Sequence, residues 1–224
     1  MFKKRSYTPF YNFSKTSFVR GIQCRKILFL DKYKSSLKTP PDAETRARFA
    51  SGIEFEARYK STFPGAVNMK ERFKYTSPEY VEATSQLLGN EGEVTVFEAA
   101  IMFKDVLVLT DVLRKNADGT YDIFEVKHSD KVNTAIEWDL SVQYYVCKNV
   151  LRNIRTFNLV NRVGEADFAV TDYKAFAEER LPEVERCLAE FRDVLQGLEP
   201  EVEMGPQCEE PYKCDFQDYC KKLR

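Results

Sequence analysis

Histidine is almost absent from this chain: among 224 residues only His128 occurs. Catalysis built on a histidine base paired with a second histidine is thereby excluded, as are sites that need several histidine ligands. Long apolar runs are missing too, and no window approaches the length of a membrane span. The opening, Met1–Tyr11, is basic with no apolar segment behind it, so no secretion signal is expected and the protein is expected to be cytoplasmic, without membrane association. Internal repeats, low-complexity tracts and glycine-rich phosphate loops are absent. Charge is nearly balanced, 34 Lys and Arg against 35 Asp and Glu, so the net charge of −1 does not advertise a polyanionic partner.

What is present begins with a 43% hydrophobic content, enough for one core with a small appendage. The charge is unevenly spread. Met1–Pro40 holds ten Lys or Arg and one acid, Asp31, whereas the last third is acidic, as in Glu178-Glu179 and Glu199–Glu203. A local basic surface attracts phosphates even on a neutral protein; the plain alternative is a solvated basic arm. The six cysteines, in a reducing compartment, are expected as thiols or metal ligands rather than disulfides.

The chemistry concentrates in Val106–His128, which reads as two strands around the turn Asn116-Ala117-Asp118-Gly119. Asp111, Glu125 and Lys127 interrupt otherwise apolar runs. An ionised carboxylate inside an apolar sheet is costly unless a cation, a metal or hydrogen-bond donors face it. With Ala117-Asp118-Gly119 as a three-residue loop and Gly119 left-handed, Asn116 pairs with Thr120. Asp111 then lies opposite Glu125, and both share a face with Lys127. A divalent cation between two facing carboxylates turns repulsion into attraction. A two- or four-residue loop would move Asp111 to the other face, and a buried ion pair with Lys127 is the competing explanation.

Around this hairpin the chain reads as alternating helices and strands. Ser14–Tyr33 is expected as one helix capped by Ser14 or Ser17, and a second, Ala43 to about Thr62, follows the break Thr39-Pro40-Pro41-Asp42. The second carries Gly52 and Glu56, the latter open to a solvated reading. A helix from Ser77-Pro78 to about Leu88 precedes the strand Val94–Phe103, where Glu98 either adds an acid to the site or occupies the sheet edge. After the hairpin come a helix from about Asn133 to Asn153, bearing Asp139 and Gln143, two strands (Arg155–Val163, Ala166–Tyr173) and a helix from Lys174 to about Gln196. Tyr144, Tyr145, Cys147 and Cys187 read as core. His128 reads as a strand-end residue with a local hydrogen bond.

The tail G-P-Q-C-E-E-P-Y-K-C-D-F-Q-D-Y-C places Cys208, Cys214 and Cys220 at five-residue gaps in an irregular, Pro-bearing segment. Core packing does not account for three cysteines there, and the C-x-x-C pairs of most zinc sites are missing.

Asp111, thirteen residues, then Glu125-Val126-Lys127 resembles the D…(D/E)-x-K signature of the PD-(D/E)XK nuclease superfamily. The ordered set of Cys24, Gly52 with Glu56, Asp111, Glu125-Val126-Lys127, Gln143 and the cysteine tail is similar to the RecB-like iron–sulfur branch. That branch includes the CRISPR-associated exonucleases and a related bacterial domain family whose opening reads like Ser14–Leu30. The resemblance runs from about Ser14 to Cys220. It implies an α/β fold with a restriction-endonuclease-like core, a central mixed sheet flanked by helices, and a cysteine-ligated lobe built from both termini. The chain would be a single domain, 1–224, with 1–40 and 200–224 forming the lobe around a 41–199 core.

The implied activity is Mg²⁺- or Mn²⁺-dependent hydrolysis of DNA, from single-stranded ends, with protein partners in a DNA-processing complex. Glu56, Asp111, Glu125 and the Val126 carbonyl would hold the metal, with Lys127 and Gln143 completing the catalytic set. Cys24, Cys208, Cys214 and Cys220 would ligate an iron–sulfur cluster of the 4Fe-4S kind. Three departures stand out: Glu56 occupies the family's histidine position, Cys147 stands where a tyrosine is usual, and the first gap between late cysteines is long. An inactive nuclease-fold DNA-binding or adaptor module, or a zinc-stabilised scaffold, are the alternatives.

Overall fold

The computed structural model describes residues 10–164 and 167–223. The basic stretch 1–9 and Ala166, the first residue of an expected strand, lie outside the described residues. In chain order the elements are β1 (Phe13–Ser14), α1 (Lys15–Gln23), α2 (Arg25–Tyr33), α3 (Ala43–Lys60), β2 (Val67–Asn68), α4 (Met69–Arg72), α5 (Pro78–Gly89) and β3 (Val94–Phe103). They continue with β4 (Val106–Lys115), β5 (Tyr121–Lys127), α6 (Thr134–Val150), β6 (Ile154–Val163), β7 (Asp167–Asp172), α7 (Lys174–Glu179), α8 (Leu181–Gln196) and α9 (Gln217–Lys221).

Local chemistry explains most of these boundaries. Ser14 and Ser17 cap α1 reciprocally, each side chain accepting from the other's backbone N–H. Asp42 caps α3 through Thr45 N (2.8 Å), and Asn133 caps α6 through Ile136 N (3.0 Å). Two expected helices are each broken in two. The first, Ser14–Tyr33, is interrupted at Cys24, whose backbone is extended (φ −162°, ψ 124°). The second, Lys174–Gln196, restarts after Arg180 because Pro182 falls in the first turn of α8, where its missing N–H costs no hydrogen bond. β2 and α4 are too short to leave a periodic signal.

Among the described residues the strands form one mixed seven-stranded sheet in the order β2-β3-β4-β5-β6-β7, with β1 added against β4. The pairs β3–β4, β4–β5 and β6–β7 are antiparallel, while β2–β3, β5–β6 and β1–β4 are parallel. The main core lies where α1, α5, α6 and α8 pack together and on the sheet, around Phe18, Leu140, Tyr144, Phe157 and Phe191. On the other face Phe55 and Tyr59 of α3 cover Val112, Val126 and Val160. A third cluster joins the two ends of the chain: Ile27 and Leu30 of α2 pack on Cys214 and Phe216. Thus the fold is a central mixed sheet flanked by helices. No helix among the described residues is long and apolar enough to cross a membrane.

Candidate active site

The turn after β4 sets the register of the site. Gly119 has φ +79°, Asn116 N donates to Thr120 O (2.8 Å), and Asp118 Oδ1 accepts from Thr120 N (3.0 Å). The ladder runs from Lys115–Tyr121 to Val112–Phe124 and stops there. One more step in the same register puts Asp111 beside Glu125, as the turn chemistry requires. At that point β4 and β5 separate, and Val126 N donates to Asp111 Oδ2 (2.7 Å) in place of a backbone bond. β1 occupies the freed edge of β4 further on, pairing Phe13 with Val106 and Ser14 with Leu107; the other edge of β4 is taken by β3.

Three carboxylates meet at the fork. One oxygen each from Glu56, Glu98 and Asp111 lie within 4.8 Å of one another, the only such group of potential metal ligands among the described residues. Glu98 falls opposite Asp111 across β3–β4, between the pairs Phe97–Val112 and Ala99–Thr110. Its backbone is left-handed (φ +56°), a conformation that costs a non-glycine residue about 1 kcal/mol or more. Lys60 and Lys70 approach the nearly buried Glu98 carboxylate at 2.6 and 2.7 Å, and Lys60 also pairs with Glu56. Despite burial, these two lysines hold the Glu98 carboxyl below the usual range, whereas burial raises Glu56.

Asp111 links this trio to a second group. Lys127 Nζ lies 2.7 Å from Glu125 Oε1 and 2.6 Å from Asp139 Oδ2 on α6. The other oxygen of Glu125 accepts from Lys15 Nζ at 2.7 Å, and Lys15 also donates to Gln143 Oε1 at 2.7 Å. Burial, then the nearby Glu125, push the Asp111 carboxyl up to about 8, against the pull of Lys15. Glu125 is the opposite case: burial would raise it, but Lys127 and Lys15 together hold it far below the carboxylate range. Gln143 is fully buried, and its Nε2 finds no hydrogen-bond partner among the described residues.

The structure thus brings Glu56, Asp111, Glu125, Val126, Lys127 and Gln143 into one neighbourhood. Sequence reasoning missed Lys15 and left Glu98 open. A charged residue in the apolar run Val94–Phe103 was the available signal for Glu98; nothing local marks Lys15. His128 packs against Phe55 with the rings tilted by 41° and their centroids 5.2 Å apart. Tyr144, buried in the core, donates to the exposed Glu178 at its edge (2.6 Å).

At the joined ends, Cys24, Cys208, Cys214 and Cys220 line a single cavity of about 20 Å³, together with Ile27 and Phe216. Phe216 N donates to Cys214 Sγ (3.3 Å), and burial pushes the Cys214 thiol up to about 11. No three of these sulfurs come within 4.8 Å of one another, so the four do not cluster around one point as expected. One tetrahedral zinc with sulfurs at about 2.3 Å would hold them roughly 4 Å apart. Cys147 and Cys187 are buried apart from this cavity, among apolar neighbours.

No family model matches the chain, and no curated protein matches it. Among solved structures, the crystal structure of SSO0001 superposes with a TM-score of 0.50 at 14% identity, covering 97% of this chain and 89% of that one. The chain shares the fold of SSO0001. An alkaline exonuclease (LHK-Exo) from Laribacter hongkongensis gives a TM-score of 0.46 at 13% identity, over 84% of this chain and 91% of its own.

Proposed function

We propose that this chain is a Mg²⁺- or Mn²⁺-dependent nuclease that hydrolyses DNA from single-stranded ends, working with protein partners in DNA processing. The observation that carries the reading is the carboxylate trio Glu56, Glu98 and Asp111 beside the Glu125–Lys127 pair. Hard oxygen donors suit these cations, and the raised Asp111 carboxyl marks a place where negative charge is under-compensated. Four lysines (15, 60, 70, 127) match Glu56, Glu98, Glu125 and Asp139 in number, so ionised Asp111 adds the one negative charge left for a cation to meet.

Glu56, Glu98 and Asp111, with Glu125 and the Val126 carbonyl, would hold the ion. Bound there, such an ion acidifies a water and neutralises charge on the scissile phosphate. Lys127 supplies a fixed positive charge for the developing phosphorane and orients the attacking water. Asp139 holds Lys127 toward the site from α6. Gln143, fully buried with its Oε1 held by Lys15, would orient the site from within.

The four cysteines fit a 4Fe-4S cluster in kind. They come from both ends of the chain, line one cavity with apolar walls, and one already accepts a backbone N–H. Residues 1–40 and 200–224 would then form a lobe around a 41–199 core, with cluster binding contributing to its folding. One observation favours a second reading, a DNA-binding module without catalysis: both oxygens of Glu125 are occupied by lysines. End-labelled single- and double-stranded DNA, incubated with Mn²⁺ or EDTA, separates them. Cleavage that EDTA abolishes supports the nuclease, and binding without cleavage in either condition supports the module.

A further inference from the structure

Lys15 is separated from Glu125 by 110 residues, yet its Nζ bridges Glu125 and Gln143 at 2.7 Å each. It is mostly buried, and its pKa is raised: burial works against the charge, but Glu125, Asp139 and Asp111 outweigh it. A lysine held charged in such a place is a designed part of the local charge balance, because burying an unpaired ammonium would cost several kcal/mol.

The fold explains how it arrives. β4 and β5 part after Val112–Phe124, and β1 enters the opening against β4. Lys15 follows directly as the first residue of α1, in a turn fixed by the Ser14–Ser17 cap. The segment therefore fills the fork whose walls carry Asp111 and Glu125. Cys24 caps the other end of the same helix, so α1, about 13 Å long, joins the cysteine cavity to the site.

We infer that Lys15 is a positioning residue of this site, lent by the amino-terminal strand, that fixes Glu125 and Gln143 with a charge competing with the metal ion for Glu125. Lys127 is left to act on the substrate while Lys15 keeps the Glu125 carboxylate in place. The catalytic part of this inference rests on the nuclease reading; the electrostatic part does not.

The test uses the full chain and its variants Lys15→Met, Lys15→Gln and Lys15→Arg. Mn²⁺ binding is measured by titration calorimetry, cleavage by end-labelled DNA, and folding by thermal melts. Removing the charge in Lys15→Met should tighten Mn²⁺ binding about ten-fold, since a competing cation a few ångströms away is gone. Turnover should fall about 100-fold with KM little changed. Lys15→Arg should return Mn²⁺ affinity to the parent value and recover part of the turnover. A merely structural lysine would lower the melting temperature on removal and leave the turnover of the folded protein unchanged. Unchanged or weaker Mn²⁺ binding in a folded Lys15→Met protein overturns the inference, as does full turnover in that variant. Lys15→Gln, which keeps a donor without the charge, carries the same readouts if Lys15→Met does not fold. A parent protein that binds Mn²⁺ but cleaves nothing removes the nuclease reading, and the Mn²⁺ arm still decides the role of Lys15.

Discussion

The backbone N–H of Val126 donates to Oδ2 of Asp111 at 2.7 Å, so a side chain takes over from the ladder where β4 and β5 part. This bond does two things. It satisfies a backbone donor that the splayed strands would otherwise strand, and it fixes the Asp111 carboxylate beside Glu56 and Glu98. The opening that admits β1 and Lys15 is the same opening whose walls carry Asp111 and Glu125.

Lys127 neutralises Glu125 and Asp139 at once. Lys127→Ala should lower cleavage by about 100- to 1,000-fold while DNA binding persists. It should also cost about 2 kcal/mol of stability, because two largely buried carboxylates lose a partner. Single-turnover kinetics and denaturant melts read the two effects separately; full activity in a folded variant would remove the E-x-K assignment.

Asp111 carries a crowded carboxylate, and its stability contribution should change sign with the metal. In EDTA, Asp111→Asn should melt higher than the parent, since folding forces the parent either to protonate this carboxyl or to bury its charge beside other acids, and the amide does neither. In Mn²⁺ at 100 times Kd the parent gains about 2.7 kcal/mol and the variant should not. Melting curves that fail to cross between the two conditions would exclude a cation at this trio.

Glu98 keeps a left-handed backbone in the middle of a strand. Strain of this kind persists where the surrounding structure demands it, and here the carboxylate is bound by Lys60 and Lys70. Glu98→Gln should weaken Mn²⁺ binding at least about ten-fold, one charge at contact distance being worth that much or more. Calorimetric titration showing parent affinity would place the ion elsewhere.

Gly21 sits on α1 where an added Cβ would meet the Phe191 ring at 2.8 Å. Gly21→Ala should cost about 1–3 kcal/mol through overpacking. The shift of α1 moves Lys15 at one end and Cys24 at the other, so activity should fall more steeply than stability. Parent kcat in a destabilised variant would show the helix to be uncoupled from the site.

Serine at Cys24, Cys208, Cys214 or Cys220 should bleach the brown colour of an iron–sulfur protein and lower the melting temperature, while serine at Cys147 or Cys187 should keep the colour. Absorption spectra of anaerobically purified variants decide this. A colourless parent with one zinc per chain would favour the scaffold alternative.

The hairpin was legible in the sequence because turns and strand alternation are local. Gly119 permits the positive φ, Asn116 and Asp118 bond within the loop, and counting back from there puts Asp111 beside Glu125. The sheet and its flanking helices could be read from the same short-range rules. The break at Cys24 escaped them, since no proline or glycine marks it and the cluster it packs against includes Cys214 and Phe216 of the distant carboxy-terminal tail. Glu98 and Lys15 escaped for a stronger reason. An acid in an apolar strand and a lysine after a serine cap carry no information about which distant strand each will pair with. Sheet pairing across many residues, and the parting of β4 from β5 that lets β1 in, decided that Glu98 would face Asp111 and that Lys15 would reach Glu125.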